Sequence, residues 1–160
     1  MVSSDSVIAP HTPAEAYSAY RAVASSVLVA GAQELKRKGA HYKLAIELNH
    51  AGLSYIRDRG EEIAVGAMTT MAEIEKSPLL KELAGGAICA SLRDVPDREL
   101  KQHATLGGLI ASKQPFSVLL PVLLSLTVDV VLEDKGRMEL RDYLSCPPMG
   151  ELITEIVIAR

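Results

Sequence analysis

The chain has 160 residues, 48% hydrophobic and 23% charged, which suits one domain or two small lobes sharing a core and makes bulk disorder unexpected. The net charge of -3 lacks the basic excess that binding to nucleic acid requires, and two cysteines, Cys89 and Cys146, make neither a disulfide framework nor a zinc or iron–sulfur site by themselves. Aromatic residues are only 4%, with no Trp and one Phe, so the core is expected to be built from Leu, Ile, Val and Ala.

The order of predicted elements is mixed. Val7-Ile8-Ala9 reads as a short first strand. Thr12-Pro13-Ala14-Glu15 has the form of a capping box with Pro at the first helical position, and opens a helix to about Ser25. Met1 to Asp5 shows no signal peptide, so a cytoplasmic protein with reduced thiols is expected. Val27 to Ala30 is a compact strand that runs into Gly31, and Gln33 to Lys38 reads as a short helix. Leu44 to Leu48 is another strand. Arg57-Asp58-Arg59-Gly60 reads as a charged hairpin loop before a strand containing Ile63 and Val65.

Thr70-Met71-Ala72-Glu73 is a second capping box, for a helix through Lys76, and Ser77-Pro78 restarts one to about Leu92. Arg93 to His103 reads as a loop or short helix. Phe116 to Leu126 is an apolar helix containing Pro121. The whole apolar stretch to Leu132 is interrupted by Pro121 and Asp129, which argues against a membrane span. Val128 to Glu133 and Met138 to Arg141 flank a hairpin turn, and Ile153 to Ala159 is a last strand.

Two glycine-containing turns are the informative features. In the first, Val29, Ala30, Gly31, Ala32, Gln33, Glu34 and Leu35 join a strand to a helix. Gly31 allows a backbone conformation or close approach that a Cβ would block, and the following amides sit where a helix N-terminus holds phosphate oxygens. In the second, Thr105, Leu106, Gly107, Gly108 and Leu109 form a turn whose amides can converge on an anion. Either turn alone is equally consistent with simple chain punctuation. No Gly-x-Gly-x-x-Gly fingerprint, metal-ligand spacing or nucleophile elbow is present.

Five segments taken in order carry a family resemblance. They are Pro10 to Ala16; Ala30-Gly31-Ala32-Gln33-Glu34-Leu35; Gly66-Ala67-Met68-Thr69-Thr70-Met71-Ala72-Glu73-Ile74 with Ser77-Pro78-Leu79-Leu80; Ala104 to Ala111; and Pro115 to Leu126. The chain resembles the FAD-binding domain of the molybdenum hydroxylases, the flavin component of carbon monoxide and xanthine dehydrogenases.

The resemblance implies an α+β fold of two lobes: a small N-terminal α/β lobe, 1–56, and a larger, mainly antiparallel sheet with helices, 57–160. FAD is expected between them. It also implies that Val29 to Leu35 and Thr105 to Leu109 hold the diphosphate through backbone amides, with Thr105 adding a hydroxyl and Ser117 lying near the flavin. Such a domain belongs to an oxidoreductase in which electrons pass from iron–sulfur clusters through FAD to NAD or another acceptor. The implied partners are an iron–sulfur subunit and a molybdopterin subunit, and self-association is a further expectation.

The departures from the family pattern are Ala32 for a second glycine, Gln33 for Thr, Leu109 for Asn, Val118 for Asp and Lys101-Gln102 for Arg-Asn. The chain is expected to lack the further C-terminal domain usual in the family. These departures support an alternative expectation: a non-enzymatic relative with weakened or lost flavin binding, serving as a scaffold or binding subunit.

Overall fold

A computed structural model describes residues 3–31, 40–113 and 117–160. The helix expected over 33–38 lies outside them. The first sheet is parallel, with β3 (His41–Glu47) between β1 (Ser3–Ile8) and β2 (Ser26–Val29). A central parallel strand reads as a continuous apolar run. Leu44, Ala45 and Ile46 of β3 are accordingly all buried.

Helix α1 (Pro13–Ala22) lays Ala16, Tyr17 and Tyr20 against Leu44, Ile46 and Leu48. Thr12 accepts from the Glu15 amide as expected, but the Glu15 carboxylate reaches back to the amide of His11 rather than that of Thr12. The helix stops three residues before the expected Ser25, because Val23 is already extended and Ser25 takes φ 64°.

The second sheet is antiparallel. Its order is β4 (Ile56–Asp58), β5 (Glu62–Gly66), β8 (Ile153–Ala159), β6 (Val128–Leu132), β7 (Gly136–Glu139). The expected hairpin loop at Arg57 to Gly60 is tighter than anticipated, since Arg57 and Asp58 belong to β4. One face of this sheet carries Ile63, Val65, Val130, Ile156 and Ile158, and six of the seven α-helices described after β5 contribute to the core beneath it.

The seven are α2 (Met71–Lys76), α3 (Pro78–Glu82), α4 (Ala87–Arg93), α5 (Arg98–His103), α6 (Leu106–Ser112), α7 (Leu119–Leu124) and α8 (Leu140–Ser145), and α5 is the one with no residue in that core. The long helix expected from Ser77 to Leu92 is broken in two. Ala84, Gly85 and Gly86 are all left-handed, with φ of 48°, 62° and 79°, and turn the chain between α3 and α4. The strand expected to reach Arg141 ends at Glu139 instead. Leu140, Tyr143 and Leu144 have helical spacing, and α8 buries the first two against the core.

The capping box of α2 forms in full. Thr70 Oγ1 accepts from the Glu73 amide, while Glu73 Oε2 accepts from the Thr70 amide at 2.7 Å. Thr70→Ala is expected to lower stability by about 1 kcal/mol, read as a drop in the denaturant midpoint at unchanged m-value.

The segment before β8 ties the second sheet to the first. Leu152 is buried in the cluster that includes Leu44, Ile46, Leu53 and Met68. Beside it the Glu151 side chain is only 4% exposed, with Oε1 3.3 Å from Lys135 Nζ. Its Oε2 has no hydrogen-bond partner among the described residues. Tyr17 faces the same carboxylate, and its pKa is raised by desolvation first and by Glu151 second. Removing the ammonium leaves a buried carboxylate without its counter-charge. Lys135→Ala is therefore expected to cost about 1–3 kcal/mol, discounted because the lysine itself is half exposed; thermal unfolding measures it.

Candidate functional site

The two glycine turns lie against each other. Gly31 follows the end of β2 by two residues with φ 63°, and a Cβ built there would stand 1.9 Å from the carbonyl oxygen of His103 and 3.7 Å from Cα of Ala104. Gly108 meets the first turn from the other side: its Cβ would lie 3.5 Å from the carbonyl oxygen of Ala30. Two loops more than seventy residues apart in sequence thus make backbone-to-backbone contact, which only glycine permits at Gly31. Gly107 is equally confined, with a Cβ falling 2.7 Å from that of Ala67.

What holds the second turn is a short cross-link to the loop after β5. Thr70 and Thr105 form an isolated antiparallel bridge, flanked by Met71 N donating to Ala104 O and Leu106 N donating to Thr69 O, both at 2.9 Å. Thr105 then caps α6, its Oγ1 accepting from the Gly108 amide at 3.2 Å. Thr69 is itself fixed, accepting from the Tyr55 amide and donating to the Tyr55 carbonyl.

This arrangement changes what the second turn offers an anion. The amides of Leu106, Gly107, Gly108 and Leu109 donate to Thr69 O, Ala67 O, Thr105 Oγ1 and Thr105 O respectively. All four are engaged within the protein, so they do not form the open nest that the sequence suggested. The Thr105 amide has no acceptor among the described residues. The Thr105 hydroxyl keeps its own hydrogen available while its oxygen caps the helix.

The remaining site residues separate into three groups. Val29 and Ala30 are half-buried at the end of the first sheet, next to Gly31. Ala32, Gln33, Glu34 and Leu35 lie outside the described residues. Ser117 accepts from the Leu120 amide at 3.2 Å, two residues before α7 begins at Leu119; no hydrogen bond joins it to either turn among the described residues. Leu109, which stands where the family pattern has Asn, is buried in the main core. Val118, which replaces an Asp, is 46% exposed.

Sequence reasoning missed the bridge between Thr70 and Thr105. The signal was present in two capping threonines, each opening a helix, but pairing between loops thirty-five residues apart is not written in local spacing. Among the described residues no group of three or more His, Cys, Asp or Glu side chains is placed to hold a metal ion. No helix among them is long and apolar enough to cross a membrane.

The paired glycine turns lie where a small parallel sheet meets a larger antiparallel one, in an α+β fold. The chain belongs to the family described as the FAD binding domain in molybdopterin dehydrogenase, whose model matches residues 3–159. It is 33% identical over 116 residues to the Escherichia coli (strain K12) protein YgfM, covering 72% of this chain and 43% of that one.

The fold is that of solved oxidoreductases. The carbon monoxide dehydrogenase of Hydrogenophaga pseudoflava matches with a TM-score of 0.87 at 22% identity, over 96% of this chain and 58% of that chain. A Cu,Mo-CO dehydrogenase matches at 0.88 and 23%, over 99% and 60%. Quinoline 2-oxidoreductase from Pseudomonas putida 86 matches at 0.88 and 18%, over 96% and 58%. The chain therefore spans less than two thirds of the relatives it matches. FAD is the cofactor of the family domain. The space next to Gly31 is taken by the His103 carbonyl, so this glycine serves the contact between the turns, and the donor left for an anion at the second turn is Thr105, whose amide has no acceptor among the described residues.

Proposed function

We propose that this chain is the FAD-binding electron-transfer component of a molybdenum-hydroxylase-type oxidoreductase. The observation that supports this most is the closure of the two glycine turns on each other, with Gly31 left-handed against the His103 carbonyl. FAD lies between the lobes 1–56 and 57–160 in this reading. Val29 to Leu35 and Thr105 to Leu109 line the diphosphate, with the Thr105 amide and hydroxyl as the donors of the second turn. Ser117 stands toward the flavin.

The flavin, when bound, supplies the electron-carrying chemistry, and the protein positions it and sets its surroundings. With no Trp and one Phe in the chain, the walls offered to it are mostly aliphatic and backbone. An iron–sulfur subunit and a molybdopterin subunit complete the complex, and an acceptor such as NAD takes the electrons. The substrate belongs to the molybdenum partner.

The purified protein is expected to be yellow and to bind FAD one-to-one in a fluorescence titration. A colourless protein with no thermal shift on adding FAD would refute the proposal. That outcome would favour the second reading, a scaffold or binding subunit with weakened flavin binding. Its supporting observation is the second turn itself: four amides engaged internally, and Leu109 turned into the core where the family has a polar side chain.

A further inference from the structure

Away from the paired turns, a cleft of about 510 Å³ opens between α2, the end of α4 and α5. Its lining includes Glu75, Lys76, Arg93, Arg98, Lys101 and Gln102. Four cations and one carboxylate in one concavity are unexpected in a chain of net charge -3.

The pairings sharpen the imbalance. Lys101 is only 8% exposed, and its Nζ donates to Glu75 Oε2 at 2.8 Å and to the Leu92 carbonyl at 3.3 Å. The one lining carboxylate is therefore already neutralised from below. Asp97, between the lining residues Pro96 and Arg98 in the chain, accepts from the Leu100 amide as the cap of α5. Lys76, Arg93 and Arg98 are exposed, and no ion pair to any of them occurs among the described residues.

Lys76 and Arg93 each stand at the C-terminal turn of a helix, where a cation is ordinarily favourable. That accounts for each residue separately. It does not account for their convergence with Arg98 on a single hollow that has the volume of a small-molecule site.

We propose that this cleft binds a small phosphorylated organic anion carrying two or more negative charges, at a site separate from the paired glycine turns. Arg93 and Arg98 present planar forks that match phosphate oxygens bidentately, Lys76 adds a point charge, and Gln102 adds an amide. The Lys101–Glu75 pair holds α5 to α2 and so fixes the spacing of the walls. A concave site of this size suits a small anion better than the acidic face of a protein.

Calorimetric titration of the full chain with inorganic pyrophosphate tests it, alongside an Arg93→Ser/Arg98→Ser double variant. Both positions are exposed and outside the core, so the variant is expected to fold. Saturable pyrophosphate binding is expected in the parent chain and weakened by about tenfold or more in the variant, the equivalent of one lost charged hydrogen bond. FAD affinity is expected to be the same in both, which separates this site from the flavin reading. No saturation at millimolar pyrophosphate, or equal affinity in the two chains, would overturn the proposal. So would binding of an acidic peptide at the same arginines with no response to pyrophosphate, which would assign the cleft to a protein partner.

Discussion

Gly31→Ala is expected to weaken FAD binding by about tenfold or more and to lower stability by about 1–3 kcal/mol. Two costs combine. The left-handed conformation at φ 63° is one that an alanine adopts only with strain. The larger cost is steric, since the new Cβ would lie 1.9 Å from the His103 carbonyl oxygen. That atom is backbone, so relief requires the two turns to move apart.

Gly60→Ala and Gly136→Ala are the controls. Their φ values of 82° and 71° carry the same strain, but a Cβ at either meets nothing within 4 Å. They are expected to cost about 1 kcal/mol in stability and to leave FAD affinity unchanged. If Gly31→Ala binds FAD as well as these controls do, contact between the turns is not what forms the flavin site.

The second large effect is expected on the outward face of the antiparallel sheet. That face is closed by charged side chains. Arg59 donates to both oxygens of Glu155, at 2.9 and 2.7 Å, and the Tyr55 hydroxyl donates to Glu155 Oε2 at 2.7 Å. Arg137 bridges Asp129 at 2.6 Å and Glu62 at 2.9 Å, while Glu62 also lies 3.8 Å from Arg59. Beneath this layer Ala64 and Val157 are 0% and 1% exposed, so the ion pairs serve as the cover of the sheet.

Glu155 is its centre, with a side chain only 10% exposed. Glu155→Ala removes three hydrogen bonds and leaves a guanidinium and a phenol without their acceptor. The expected loss is about 2–3 kcal/mol, kept below the fully buried range because Arg59 is 42% exposed. Equilibrium denaturation measures it, and a loss under about 0.5 kcal/mol would place the network among ordinary surface pairs.

The same network predicts an alkaline transition. Burial first, then the hydrogen bond to Glu155 and the charge of Glu155, push the Tyr55 phenol up to about 12. A folded-state pKa above the unfolded value of 10 means that the neutral phenol stabilises the fold. The contribution is fully present below pH 10 and is lost as pH rises through about 12. Parent protein is expected to lose stability across that window more steeply than Tyr55→Phe, which has no phenol to titrate. Parallel pH profiles for the two chains would count against the assignment.

Much of this was legible in the residues. The strand at Ile153 to Ala159 has the bounds its apolar run gave, and the box at Thr70 to Glu73 forms with both hydrogen bonds, because a helix cap is a contact between residues three apart. The FAD family was legible from five short segments in order, because each carries a recognisable local pattern of turn, cap or helix. The helix break at Ala84 to Gly86 was less legible, because the apolar spacing of Leu80, Leu83 and Ile88 continues across a turn that the glycines allow but do not announce.

Sequence alone thus marked Gly31 and Gly107-Gly108 as positions where a side chain is unwelcome. Only the tertiary structure decided what each loop does. It set Gly31 on the His103 carbonyl, and it engaged the amides of Leu106 to Leu109 with Thr69, Ala67 and Thr105. Whether an amide is free depends on the acceptor that another part of the chain brings to it, and that partner comes from folding, beyond the reach of local spacing.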